Sequence, residues 1–270
     1  MTEALRIANC SGFYGDRFSA AREMLEGGPI DVLTGEYLAE LTMLILWKSR
    51  LKDPEAGYAT TFLRQMEEVA GLALDRGVKI IANAGGLNPA GLATKLRELL
   101  DRLGLQASVA HIEGDDLLPQ LGELQAAGHE LRNLDTGRSL AEAGVEPVSA
   151  NVYLGAWGIV EALKAGADIV VCPRVTDASL VVGPAAWRFG WARETPSAAK
   201  ASWPSPRRCC NRACPMSAAI RARRSRICST CWSTRRTSWA SSASIWRPAR
   251  MKPRRRRCWA PRSTIRYAAR

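Results

Sequence analysis

VKIIANAGGLNPAGLATKLRELLDRLG, residues 78–104, is the stretch that decides the fold. It opens on an apolar, β-branched run from Val78 to Asn83 and breaks at Gly85-Gly86. It restarts behind Pro89 with Leu92, Leu96, Leu99, Leu100 and Leu103 on one helical face. A proline at the first helical position costs nothing, because its missing N–H would have no partner in the first turn. Gly104 then supplies the left-handed residue on which such a helix ends. A strand that passes through a glycine-rich turn into an amphipathic helix is one βα unit.

The same unit repeats outward in both directions. Strand candidates are Leu5–Asn9, Ile30–Thr34, Ala107–Ile112 and Asp168–Cys172. Like Val78–Asn83, they are near-continuous apolar runs, as expected of strands buried on both faces. Phe62, Leu63, Met66, Val69, Ala70 and Ala73 keep one face of a further helix, and Gly77 stops it. The β, α, β, α order predicts an α/β fold of the Rossmann-like, three-layer kind, with a mainly parallel sheet between helices. Barrel closure is the alternative, and the chain supplies fewer than the eight units a barrel needs.

Charge divides the chain near Arg193. Residues 1–193 carry 18 Lys+Arg against 25 Asp+Glu, while residues 194–270 carry 20 against 1, so the net +12 describes neither part. Residues 1–193 have ordinary globular composition and are expected to form one, incomplete α/β domain. They begin without a basic segment followed by an apolar one, so no signal peptide is expected. Their longest apolar run, Met43–Trp47, is far too short to span a bilayer, so no membrane association is expected. Cys10 and Cys172, the two cysteines of this part, read as reduced thiols of a cytoplasmic protein.

Residues 194–270 contain no glycine, 18 of the 38 basic residues as Arg, six of the eight Cys and five of the nine Trp. A basic nucleic-acid arm would use runs such as Arg254–Arg257, but such arms are usually Lys-rich and poor in Trp and Cys. A zinc module would use Cys228 and Cys231, with Cys209, Cys210 and Cys214 near by, yet only one CxxC is present. The reading preferred is an out-of-frame translation of a GC-rich gene, since shifted GC-rich codons give this mixture. Such a segment buries too little apolar surface to offset its ordering entropy and is expected to be disordered.

Chemistry is expected where the strands end. Asn9–Arg17 follows the first strand, Gly35-Glu36-Tyr37 the second, Asn83–Pro89 the third, Glu113–Asp116 the fourth and Pro173–Asp177 the fifth. In an open parallel sheet these carboxyl ends lie along one edge, where ligands bind. Glu36, Asp115, Asp116 and Asp177 are the candidate acid/base residues, and as a set they would also suit a hard cation such as Mg2+. The turn and cap alternatives stand beside this, above all for Asp116 and Asp177. Gly12 and Gly15 lead into a helix whose N–H groups would cradle a phosphate. A tight turn without ligand reads equally well. Asp16 and Arg17 form either a local ion pair or a substrate-facing pair. Asn83, Gly85, Gly86, Asn88 and Asn151 are candidate ligand contacts, with turn positions as the alternative, and Arg174 is a candidate cation. His111 would serve as a base or sit half-buried and satisfied. No Walker loop, nucleophile elbow or metal-binding helix motif occurs, and no cofactor is assigned.

Several of these segments carry a resemblance. Gly12-Phe-Tyr-Gly-Asp-Arg17, Asn83-Ala-Gly-Gly-Leu-Asn-Pro89, Gly114-Asp-Asp116 and Asn151-Val-Tyr-Leu-Gly155 occur in order. With Gly166–Leu180 and Gly183-Pro-Ala-Ala-Trp187, they resemble the AtuA family over about Leu5 to Trp191. The resemblance implies a role in acyclic terpene utilisation, beside carboxylation of geranyl-CoA and related branched acyl-CoAs. It further implies an acyl-CoA ligand, or a non-catalytic assembly role beside acyl-CoA carboxylase subunits. It also implies that the family domain continues where this chain becomes Arg-rich. If the site needs residues from that continuation, this polypeptide is inactive.

Overall fold

The computed structural model describes residues 4–193, together with the backbone of two short strands at 218–220 and 265–266. The disorder and frame shift expected for residues 194–270 fall, apart from these two short strands, outside the described residues. Five strands carry the described part: β1 (Leu5–Asn9), β2 (Val32–Gly35), β3 (Lys79–Ala82), β4 (Val109–Ile112) and β5 (Ile169–Val171). They hydrogen-bond in the order β1-β2-β3-β5-β4, and every one of these pairs is parallel. The two further strands, β6 (Ala218–Ile220) and β7 (Ile265–Arg266), pair antiparallel with β1 and β4 at the two edges.

Alternation along the strands separates two cores. Ala8, Leu33, Ile80, Ala82 and Val109 point to one face. They meet α1 (Ala20–Glu26), α3 (Thr60–Asp75) and α4 (Pro89–Arg102), which contribute Leu25, Phe62, Met66, Leu92 and Leu96. Ile7, Val32, Ile81, Ala110 and Val170 point to the other face, against α7 (Trp157–Lys164) and α8 (Ser179–Phe189). This is the three-layer α/β arrangement that the runs of 78–104 and its neighbours predict. The helix stops also fall where expected, with Gly77 at φ 65° and Gly104 at φ 70°.

Packing on the second face depends on a missing side chain. A Cβ at Gly183 of α8 would lie 2.6 Å from Ile159 Cγ2 and 2.7 Å from Ile159 Cβ. Only glycine lets α8 approach α7 this closely, and residue-to-residue contact at this distance is what a dense interior needs.

Two segments stand apart from the cores. Helix α2 (Glu40–Lys52) buries Thr42, Met43 and Leu46 over the strand-end loops, in a small cluster with Leu38, Tyr14 and Leu87. Between β4 and α7 the chain makes a long excursion. Its 3-10 turn (Leu118–Gln120), α5 (Leu121–Ala126) and α6 (Leu140–Ala143) contain no buried residue.

Candidate functional site at the carboxyl edge of the sheet

Connections after β1, β2 and β3 run to the first-face helices, whereas those after β4 and β5 run to α7 and α8. The loops leaving the neighbouring strands β3 and β5 therefore diverge. A crevice opens at such a point, outside the carboxyl ends of the strands.

Asn83 stands at the end of β3 and is fully buried. Its Oδ1 accepts the Tyr37 N–H at 2.6 Å, which fixes the orientation of the amide and ties β3 to the residue after Glu36. Its Nδ2 is buried with no hydrogen-bond partner among the described residues. An orphaned buried donor is costly, and such a group calls for an acceptor that the protein does not supply.

Glu36 is half-buried and its carboxyl makes no hydrogen bond with the described residues. Burial pushes its pKa up to about 7, the negative charge of Asp177 adds to the rise, and Arg174 opposes it. Asp177 is exposed by area, yet the protein around its carboxyl desolvates it enough to raise its pKa, with Arg174 lowering it. Burial thus lets Glu36 hold its proton up to about pH 7, with the charge of Asp177 as the second cause.

Asp115, at the end of β4, is 4 % exposed. Its Oδ2 accepts the Arg174 N–H at 3.1 Å and Asn151 Nδ2 at 2.9 Å. Burial raises its pKa to about 6, against the lowering effect of these two hydrogen bonds. It joins the loop after β5 to the 151–154 segment, and it is engaged with protein on both counts. Arg174 is 6 % exposed. It donates to Leu38 O at 2.8 Å, to Glu40 Oε1 at 2.9 Å and to Tyr153 Oη at 2.6 Å, with its guanidinium 4.5 Å from the Tyr153 ring centre. Most of its donors are therefore spent on holding α2 and the 151–154 segment over the strand ends.

The remaining candidates are placed elsewhere or serve the backbone. Asp116 is exposed and closes a local turn by accepting the Leu118 N–H at 2.9 Å. Asp16 closes its own loop, accepting Gly12 N–H and Arg17 N–H at 3.0 Å each. Arg17 is exposed and paired with Glu23 at 2.5 Å. Gly12 and Gly15 lie in this loop, and a Cβ on Gly15 would meet only the ring of Phe13. Asn88 caps α4 through the Gly91 N–H at 2.9 Å and donates to Glu55 O at 2.8 Å. Gly85 and Gly86 are filled by the protein itself. A Cβ on Gly85 would lie 2.7 Å from Cys172 O, and one on Gly86 would lie 2.3 Å from Leu46 Cδ1. His111 is half-buried with Nε2 3.4 Å from Glu113 Oε1. The four acids do not converge on a cation: among the described residues no three His, Cys, Asp or Glu stand close enough to hold a metal ion.

Sequence reasoning passed over Glu40 and Tyr153. Tyr153 lies inside the quoted Asn151–Gly155 and Glu40 three residues after Gly35-Glu36-Tyr37, and what makes them matter is a long-range contact, Tyr153 Oη donating to Glu40 Oε1 at 2.5 Å. A groove of about 570 Å3 also opens at the opposite, amino edge of β1–β3, beside Arg6, Lys79 and Trp187. Arg6 and Lys79 are each paired there, with Asp31 and Asp168, at 2.7 Å. Strand-end chemistry belongs to the other edge.

Among the described residues no helix is long and apolar enough to cross a membrane. Searches of curated proteins and of solved structures gave no significant match. The family model described as acyclic terpene utilisation family protein AtuA matches residues 5–202. That span takes in all five parallel strands and every residue of the carboxyl-edge crevice, and the chain belongs to the AtuA family.

Proposed function

We propose that this member of the acyclic terpene utilisation family performs proton transfer on a branched acyl substrate, carried as a CoA thioester, at the β3/β5 crevice. The observation that carries the reading is the placement of Glu36 next to the Tyr37–Asn83 hydrogen bond. A carboxyl without a hydrogen-bond partner, its pKa raised to about 7, stands one residue from the Tyr37 N–H that anchors an amide whose Nδ2 has no acceptor. A general base is most effective when its pKa lies near the working pH. Glu36 takes a proton from the carbon beside the thioester carbonyl, and the Asn83 amide donates to the oxygen on which negative charge develops. Burial, with the negative charge of Asp177 beside it, lets Glu36 hold the returned proton up to about pH 7. Arg174 and Asp115 position the loops.

The test is solvent deuterium incorporation next to the carbonyl of a panel of branched acyl-CoAs. Glu36→Gln is expected to lower incorporation by at least about 100-fold. Incorporation that persists in that variant, or none with any of the panel in the unsubstituted chain, removes the reading.

A second reading is assembly beside acyl-CoA carboxylase subunits without turnover. The excursion between β4 and α7 supports it, because it exposes Leu118, Leu131 and Leu134 while its 3-10 turn, α5 and α6 bury no residue. Co-purification with a carboxylase subunit that is lost when residues 118–143 are replaced by a short linker would favour it. The out-of-frame origin of residues 194–270 rests on their composition, and sequencing the DNA across codons 185–225 in all three frames decides it.

A further inference from the structure

Helix α2 is apolar on two sides. Its inner side, Thr42, Met43 and Leu46, is buried. At 100° per residue the opposite side carries Leu41, Leu44, Ile45, Lys48, Leu51 and Lys52. Leu41 is 66 % and Leu51 67 % exposed, with Leu44 and Ile45 near two-fifths. Four branched aliphatic side chains stand on one exposed helical stripe, with the aliphatic stem of Lys48 among them, and such a stripe marks a partner surface.

We infer that this stripe is the interface of a two-fold dimer, in which α2 packs antiparallel against α2 of a second copy. The order of residues along the helix is self-complementary. With the two-fold axis at the level of Leu46, Leu41 faces Leu51 and Leu44 faces the aliphatic stem of Lys48. Glu40 faces Lys52 of the partner subunit. Glu40 is available for this, since its side chain is 81 % exposed despite its bond to Arg174. The antiparallel arrangement also sets the positive end of each helix dipole beside the negative end of the other. A parallel pair would stack Glu40 on Glu40 and Lys52 on Lys52. A two-fold contact uses the same patch on both copies, so a helix whose charges match its own reverse fits it better than it fits an unrelated surface. Because Glu40 also holds Arg174, the dimer would border the carboxyl-edge crevice. The inference does not depend on what that crevice does.

The test is sedimentation equilibrium of the full chain over a wide concentration range. A dimer is expected, and Leu41→Glu with Ile45→Glu is expected to weaken it at least tenfold while leaving the far-ultraviolet circular dichroism and melting point unchanged. Lys52→Glu reports the orientation. Across an antiparallel pair it opposes Glu40 and weakens the dimer several-fold, whereas in a parallel pair it changes nothing. In a Leu41→Cys, Leu51→Cys variant, mild oxidation should yield an intermolecular peptide joining position 41 of one copy to position 51 of the other. A chain that stays monomeric at all concentrations overturns the inference. So does a dimer indifferent to both glutamates, or binding of the stripe to anionic vesicles in place of a second copy.

Discussion

The loop after β1 and the loops at the centre of the sheet edge use the same residue types and behave oppositely. In Ser11–Arg17 three polar side chains find partners close by: Ser11 with Phe13 O, Asp16 with Gly12 and Arg17 with Glu23, two to six residues away. At the centre the partners are distant. Asn83 reaches Tyr37 across 46 residues, Asp115 reaches Arg174 across 59, and Arg174 reaches Leu38 across 136. A loop that satisfies itself is a turn. A set of polar groups that can be satisfied only by other strands exists because the fold forms, and it leaves over Glu36 and Asn83 Nδ2, which find no hydrogen-bond partner among the described residues.

Removing one group from each region should separate them most sharply. Asp115→Ala deprives the Arg174 N–H and Asn151 Nδ2 of their buried acceptor and is expected to cost about 2–4 kcal/mol in urea unfolding. Arg17→Ala, at a fully solvated pair, is expected to leave the unfolding midpoint where it is.

Glycines divide the same way. Gly85→Ala drives a methyl into Cys172 O and Pro89 Cα, backbone on both sides, at 2.7 and 2.9 Å. About 1–3 kcal/mol of destabilisation is expected. Gly15→Ala meets only the exposed Phe13 ring, which can swing aside, so an equal loss at both positions would erase the contrast.

The next effect concerns pH. Burial makes the folded state hold the Glu36 proton up to about 7, against an ordinary value of 4.5. The stability this lends is complete below about 4.5 and is lost as pH rises toward 7. Glu36→Gln should therefore flatten that slope and stabilise the protein at pH 8 by about 1–2 kcal/mol. A variant less stable at pH 8 would show that the carboxylate has a partner. The smallest change belongs to the cap: Asn88→Ala should cost about 1 kcal/mol, seen as a lower unfolding midpoint.

The strands were legible because burial on both faces writes continuous apolar runs. Leu5–Asn9 matches β1 residue for residue, and Val78–Asn83 overshoots β3 by one residue at each end. The helices opened by Pro89 and closed by Gly77 and Gly104 were legible for equally local reasons. Helix α2 was not, because a helix apolar on two opposite sides has no period to find: Met43 and Leu46 point inward while Leu44 and Ile45 point out. The strand ends were legible as polar clusters, but not which of their residues would lack a local partner. Glu36 owes its state to burial and to Asp177, and Asn83 to its bond with the Tyr37 N–H from the neighbouring strand. Gly85 and Gly86 look like a ligand cradle in one dimension, and in three the space above them holds Cys172 O and Leu46.

Cys10 and Cys172 close the comparison of the two faces. Each is buried at a strand end, Cys10 in the core under α1 and α3 and Cys172 in the core under α7 and α8. Burial pushes the Cys10 thiol up to about 12 and the Cys172 thiol higher still. Neither offers a thiolate to an alkylating reagent while its layer is closed. Each half of the molecule thus carries its own clock: the rate at which either cysteine is labelled times the opening of the helices above it. Peptide mapping of the two positions would show whether the layers breathe together or one at a time.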